Sequence, residues 1–313
     1  MDFIFHPRGL GFRKKGDWRS IVDVPTCPIS NPAINALLAE LRNAFTDVDA
    51  FDPKRHTGTF RYAVIRAPPG DSSVSFVLNA DSMKLGEAID RIKAYAQVST
   101  ANNIVVTRVP AQTDVSIAED FFVVKGKDKL EESFLGKKFH YGVQGFFQNN
   151  HTMAESMQRY VRDVLTSYAN PSTHLFDLYG GVGTFGIVNA DQFKRVTIVE
   201  GYAPAITCAD ENVRLNGITN GMAQVLDDSK FKRLEFPMDS VVVTDPPRSG
   251  MHPKAIEALN AALPKVIVYI SCNIEQLARD VPKFSKYIVK SAALFDLFPH
   301  TPHCEGVAVF ERK

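Results

Sequence analysis

The residues that could do chemistry here are a cysteine at the close of an apolar run, acids that follow other apolar runs, and a glutamate near the C-terminus. Cys272 stands in Tyr269-Ile-Ser-Cys-Asn, where an apolar run gives way to the helical pattern Ile274-Glu-Gln-Leu-Ala-Arg-Asp. A thiolate is a strong nucleophile near neutral pH and can leave again, and the start of a helix favours its charge. An isolated cysteine is more often an inert core residue; its setting makes this one the best nucleophile candidate. Glu305, in Phe298-Pro-His-Thr-Pro-His-Cys-Glu, is suited to acid or base work once desolvated. The histidines, cysteine and glutamate of that run match no zinc spacing. The four cysteines, at 27, 208, 272 and 304, include no pair two residues apart. Neither a metal site nor an iron-sulfur cluster is expected.

Two further motifs point to a cofactor. In Asp177-Leu-Tyr-Gly-Gly-Val-Gly-Thr-Phe-Gly an apolar strand runs into a glycine-rich turn and then a helix, where backbone can approach a ligand closely. The next apolar run ends in Glu200, placed to accept hydrogen bonds from ribose hydroxyls, so an adenosine-containing cofactor is expected. By itself the glycine spacing suits a nicotinamide enzyme equally. Asp245-Pro-Pro-Arg-Ser-Gly follows a third apolar run, and its prolines would hold a rigid loop at the edge where open α/β sheets bind ligands.

The elements that must position these residues fall into two patterns. Residues 1–128 read as an N-terminal β-hairpin and a small α/β domain with an antiparallel sheet: a helix capped by Asn31 and opened by Pro32, strands on either side of Pro68-Pro-Gly-Asp, a helix over 85–97 and a strand over 103–109. Residues 129–313 alternate helices with short apolar strands at Leu175, Arg195, Ser240 and Lys265, the pattern of a doubly wound parallel sheet. The fold class expected is therefore α/β, a doubly wound Rossmann-like domain preceded by a smaller one.

Composition sets bounds without naming a partner. A hydrophobic share of 45% and a charged share of 23% are those of an ordinary globular protein. A net charge of +1 does not by itself announce a nucleic-acid binder. Basic residues do gather at Arg8, Arg13, Lys14, Lys15 and Arg19, and again from Lys125 to Lys138, as a solvated surface or as phosphate contacts. No apolar run is long enough to span a bilayer, and the expectation is a cytoplasmic monomer.

Taken together, Gly145-Phe-Phe-Gln-Asn-Asn, the Asp177 glycine loop, Asp245-Pro-Pro-Arg, Ser271-Cys-Asn and Phe298-Pro-His-Thr-x-His-x-Glu resemble, in order, the RNA uracil-5-methyltransferase family. The resemblance covers nearly the whole chain. It implies a class I methyltransferase domain, S-adenosylmethionine as cofactor and an RNA substrate, transfer or 23S ribosomal. By the same resemblance Gln148, Tyr179, Glu200 and Asp245 hold the cofactor, Cys272 is the nucleophile and Glu305 the general base. The Leu294-Phe-Asp-Leu-Phe-Pro-His-Thr ending is similar to that of the short ribosomal-RNA enzymes. Many relatives begin with a β-barrel module and a four-cysteine cluster, neither matched here; Cys27 corresponds to one cluster ligand without its three partners. Rival readings are a cytosine-5-methyltransferase, whose cysteine commonly follows a proline, a nicotinamide oxidoreductase that would not need Cys272, and an inactive RNA-binding paralogue, which would not retain both nucleophile and base.

Overall fold

In a computed structural model that describes residues 1–313, the side chain of Trp18 excepted, contacts divide the chain into two compact units. One comprises Met1–Glu131 with Gly142–Asn149, the other Glu132–Tyr141 with Asn150–Lys313. The division is thus not a single cut after residue 128. The chain returns to the first unit because Gln144 imitates a strand neighbour there, accepting from the Ala118 N–H at 3.0 Å and donating to the Ala118 carbonyl at 3.0 Å.

The first unit opens with β1 (Asp2–His6), β2 (Gly9–Lys14) and β3 (Asp17–Asp23), followed by α1 (Pro32–Ala44). The Asn31 side chain accepts from the Ile34 N–H at 2.8 Å and so satisfies a helix-end donor. Next come β4 (Phe60–Arg66), β5 (Ser73–Asn79), α2 (Leu85–Ala96), β6 (Asn103–Val109) and β7 (Phe121–Lys125). The sheet order is β3-β2-β1-β4-β5-β6-β7. All neighbours are antiparallel except β5 and β6, which α2 joins as a crossover. The N-terminal hairpin is part of this sheet because β1 pairs with β4, Asp2 opposite Val64. The apolar faces of α1 and α2 cover one side, burying Leu38, Leu41 and Ile92 with Phe3, Phe5 and Phe76.

After the hairpin β8 (Lys129–Phe134) and β9 (Lys137–Gly142), the second unit continues with α3 (His151–Thr166), β10 (His174–Leu178), α4 (Thr184–Val188), β11 (Arg195–Glu200), α5 (Ala203–Leu215) and β12 (Gly221–Val225). It ends with β13 (Ser240–Thr244), α6 (Pro253–Ala262), β14 (Val266–Ser271), α7 (Ile274–Asp280), β15 (Tyr287–Phe295) and β16 (Glu305–Arg312). The order is β12-β11-β10-β13-β14-β16-β15, parallel from β12 to β14. β16 runs antiparallel to both of its neighbours, so β15 at the edge points the same way as β14. Both faces of β13 and β14 are buried, which is why they read as unbroken Val/Ile runs. Neither β12 nor β16 was expected: Gly-Met-Ala-Gln-Val is short, and β16 follows directly on a polar cluster. No helix is long and apolar enough to cross a membrane.

Candidate active site

Parallel strands that end on one edge place the residues just beyond them side by side, and here those residues are the acids and the cysteine named above. Tyr179 follows β10, Glu200 closes β11, Asp245 follows β13 and Cys272 follows β14. Because β16 runs against β14, its first residue reaches the same edge. Ser271 pairs with Gly306, so Cys272 and Glu305 are the next residues outward on adjacent strands.

Cys272 is half-buried. Burial pushes its thiol up, and the Glu305 and Asp245 charges add to that, while Arg248 pulls it down. The loop carrying Asp245 and Arg248 is held to α7, since Asn273 donates to the Arg248 carbonyl at 3.1 Å while capping the helix through the Gln276 N–H at 3.2 Å. Farther along, Gly250 has φ +84, and an added Cβ would lie 2.5 Å from Asp280 Oδ2. The Met251 N–H meets the Tyr269 hydroxyl at 3.2 Å, which itself donates to Asp280 at 2.7 Å. Arg248 also meets His303 Nδ1 at 3.2 Å, linking the loop to the segment before Glu305.

Three carboxyls at this edge are held above their ordinary range. Burial pushes Glu305 up to about 7. Asp245 is raised well above the usual carboxylate range by burial, then by the charges of Glu305 and Asp177. Asp177 is pushed up to about 8 by burial, opposed by its bond from the Gly186 N–H at 2.8 Å and reinforced by Glu200. Asp177 Oδ1 is buried without a hydrogen-bond partner.

The glycine loop packs directly on β11: a Cβ at Gly180, Gly183 or Gly186 would come within 2.8 Å of an Ile198 carbon, whereas Gly181, at φ +53, faces open space. Glu200 braces the loop, accepting from the Gly181 N–H at 3.2 Å and the Tyr202 N–H at 2.8 Å. Tyr179 takes the left-handed conformation, φ +55. Its hydroxyl donates to Asp228 at 2.9 Å and accepts from the His252 N–H at 3.3 Å, which fixes the ring. Asp228 and Arg248 were missed as site residues. The signal for Asp228 was an acid after a strand, as for Glu200, but β12 itself went unread.

Tyr179, Glu200, Asp245, Cys272 and Glu305 therefore share one sheet edge. Gln148 lies half-buried in the segment Gly142–Asn149, which counts with the first unit.

Burial of Glu305 has a consequence for stability. In the unfolded chain its carboxyl titrates near 4.5 and in the folded chain near 7, so between these values the native state holds a proton that the unfolded state has released. Stability falls as pH rises through that window and stays reduced above it, by on the order of 3 kcal/mol. Glu305→Gln is expected to unfold in urea at a higher midpoint than wild type at pH 8 and at the same midpoint at pH 4. An unchanged difference between the two pH values would contradict the burial cost.

The model of a family described as tRNA (Uracil-5-)-methyltransferase matches residues 19–313. An uncharacterized RNA methyltransferase of Caldanaerobacter subterraneus subsp. tengcongensis is 33% identical over 97% of this chain and 69% of its own length. A tRNA (uracil(54)-C(5))-methyltransferase of Pyrococcus horikoshii is 31% identical over 98% of this chain and 72% of its own. Among solved structures, the Pyrococcus abyssi tRNA (uracil-54, C5)-methyltransferase in complex with S-adenosyl-L-homocysteine aligns with a TM-score of 0.79 at 29% identity, covering 99% of this chain and 74% of that one. The chain thus spans about seven-tenths of the length of these relatives. With the family model matching residues 19–313 and relatives 31–33% identical over 97–98% of this chain, the chain belongs to the tRNA (uracil-5-)-methyltransferase family.

Proposed function

We propose that this protein methylates carbon 5 of a uridine in RNA, with S-adenosylmethionine as donor, by nucleophilic addition of Cys272. The observation that carries the reading is the pairing of a cysteine with a carboxyl of raised pKa on adjacent antiparallel strands, beside Asp245. The glycine loop suits an adenosine-bearing cation. Glu200 offers a carboxylate for ribose hydroxyls, Gly181 leaves room for close approach, and Asp177 Oδ1 is a buried polar atom without a partner. Tyr179, locked by Asp228, supplies a fixed aromatic wall. When bound, S-adenosylmethionine would supply an electrophilic methyl group, its sulfur keeping the electron pair of the broken bond and leaving as the neutral thioether.

Carbon 5 of uracil is too weak a nucleophile to take that group unaided. The Cys272 thiol gives up its proton to solvent, its sulfur bonds to carbon 6, and the electron pair of the 5,6 double bond moves toward the carbon-4 oxygen as an enolate. Asp245, whose carboxyl burial raises well above the usual range, can in its protonated form donate a hydrogen bond to an oxygen of the base. Of the charges acting on the thiol, Arg248 favours the thiolate. The enolate pair then forms the carbon-5–methyl bond. Glu305 removes the carbon-5 proton; the released pair restores the double bond and expels the Cys272 thiolate. A uridine stacked in a helix cannot reach the cysteine, so the target lies in a loop or is flipped out.

Transfer RNA is the substrate supported by the names of the Pyrococcus relatives. The ribosomal alternative is supported by the Leu294-Phe-Asp-Leu-Phe-Pro-His-Thr ending. Incubation with labelled S-adenosylmethionine and separate unmodified transfer and ribosomal RNA pools, followed by nucleoside identification, tests both. 5-Methyluridine in one pool assigns the reaction and the RNA; 5-methylcytidine overturns the uracil assignment.

A further inference from the structure

The first unit contains a cavity of about 330 Å³, lined by β1 to β4 and the loop after Ala50, that the chemistry at the second unit's sheet edge does not use. Its volume is on the scale of small-ligand pockets. Four basic side chains, Arg13, Arg19, Lys54 and Arg61, line it against the carboxylates of Asp52 and Asp114. Both carboxylates are already engaged: Asp114 accepts from Arg13 at 2.7 Å and from the Tyr62 hydroxyl and lies 3.9 Å from the Arg61 guanidinium, and Asp52 accepts from the Lys54 N–H at 2.8 Å. Arg61 is only 2% exposed. Its guanidinium lies 4.1 Å over the Phe51 ring centroid and donates to the Pro110 carbonyl at 2.9 Å, while its Nε–H, also buried, has no partner. A buried cation with an unmet donor is costly where only packing is required. Here it adds positive potential to the wall of a cavity whose other cations, Arg19 and Lys54, are exposed. Arg13 and Arg19 also belong to the basic run at residues 8–19, which the methyl-transfer chemistry left unexplained.

Cations beside aromatic faces are the combination that binds unpaired nucleotides, phosphate on the charge and base on the ring. We propose that this cavity holds one nucleotide of the substrate RNA, other than the target uridine, with its phosphate on Arg19 and Lys54 and its base against Phe51 and Tyr62. An acidic peptide would use the cations alone and leave the aromatic wall without a role. The proposal rests on the RNA-methylating reading above, so RNA binding is measured apart from methyl transfer.

The test compares the wild-type chain with Arg19→Ala/Lys54→Ala and with Phe51→Leu on unmodified transfer and ribosomal RNA transcripts. Equilibrium binding across a salt series is read first, then KM and kcat. For the RNA that wild type binds best, the double variant is expected to raise Kd about tenfold and to lower the salt slope by about two. Phe51→Leu is expected to raise Kd with the slope intact, because a stacking surface releases no counterions. In both variants the loss of methyl transfer falls on KM. A wild type that binds neither RNA, a double variant of unchanged affinity and slope, or a Phe51→Leu chain of unchanged affinity each overturns the proposal. Wild-type binding without methyl transfer faults the catalytic reading instead and leaves the cavity tested by the binding arms.

Discussion

Replacing Cys272 with alanine leaves S-adenosylmethionine binding intact and lowers 5-methyluridine formation by at least about a thousandfold. The size follows from what the thiol supplies. Without a bond at carbon 6 there is no enolate, and none of the neighbouring carboxyls or Arg248 can make carbon 5 nucleophilic by hydrogen bonding alone. The cysteine is half-buried at a strand end and lies outside the apolar cores, so the exchange opens no large cavity and the fold persists. Cys272→Ser separates nucleophilicity from shape: a hydroxyl of similar size but far higher pKa should be nearly as inactive as alanine. Radiolabel transfer to RNA, with cofactor binding measured by calorimetry, gives the answer; product at even a tenth of the wild-type rate in Cys272→Ala would remove the covalent mechanism.

Glu305→Gln is expected to stop the reaction after methyl transfer, which is a different signature from loss of the nucleophile. Cys272 still adds and carbon 5 still takes its methyl group, but the carbon-5 proton has no acceptor and the thiolate cannot be expelled. RNA therefore accumulates bound to the protein, visible as a denaturant-resistant band of raised mass that needs both Cys272 and S-adenosylmethionine. Turnover falls by roughly a hundred- to ten-thousandfold. In wild type the same carboxyl, raised to about 7, must be ionised to act, so kcat should show a rising step near pH 7. Glutamine cannot titrate, and the variant's residual rate should lack that step. A variant that loses turnover without any adduct would assign Glu305 to the addition step instead.

The two carboxyl effects run in opposite directions. Burial that makes Glu305 a base near neutrality also costs stability above pH 7, so the glutamine variant should be the more stable and the less active protein. Asp245 and Asp177 share the edge and are raised chiefly for the same reason, so each costs stability when it ionises there. Arg248 and a bound cation are the counterweights available there.

Short-range pattern carried much of this. Asn31-Pro32 announced α1, the Val/Ile runs announced β13 and β14, and the glycine loop with Glu200, the Asp245-Pro-Pro-Arg turn and Cys272 before α7 each marked a strand's carboxyl end. Caps, glycine turns and hydrophobic period act over a few residues, so residue order suffices to place them. Tertiary structure decided the rest. That β1 joins β4, and that 142–149 folds back through Gln144, depends on pairings between distant segments that no local period encodes. Glu305 reaches Cys272 because β16 enters between β14 and β15 in the reverse direction, and its pKa rises because that position is buried. The partner that locks Tyr179 is Asp228, 49 residues away. By itself the sequence determined which chemical groups stand at the strand ends; the packing of reversed and distant strands determined which of them meet, and how far burial shifts their protons.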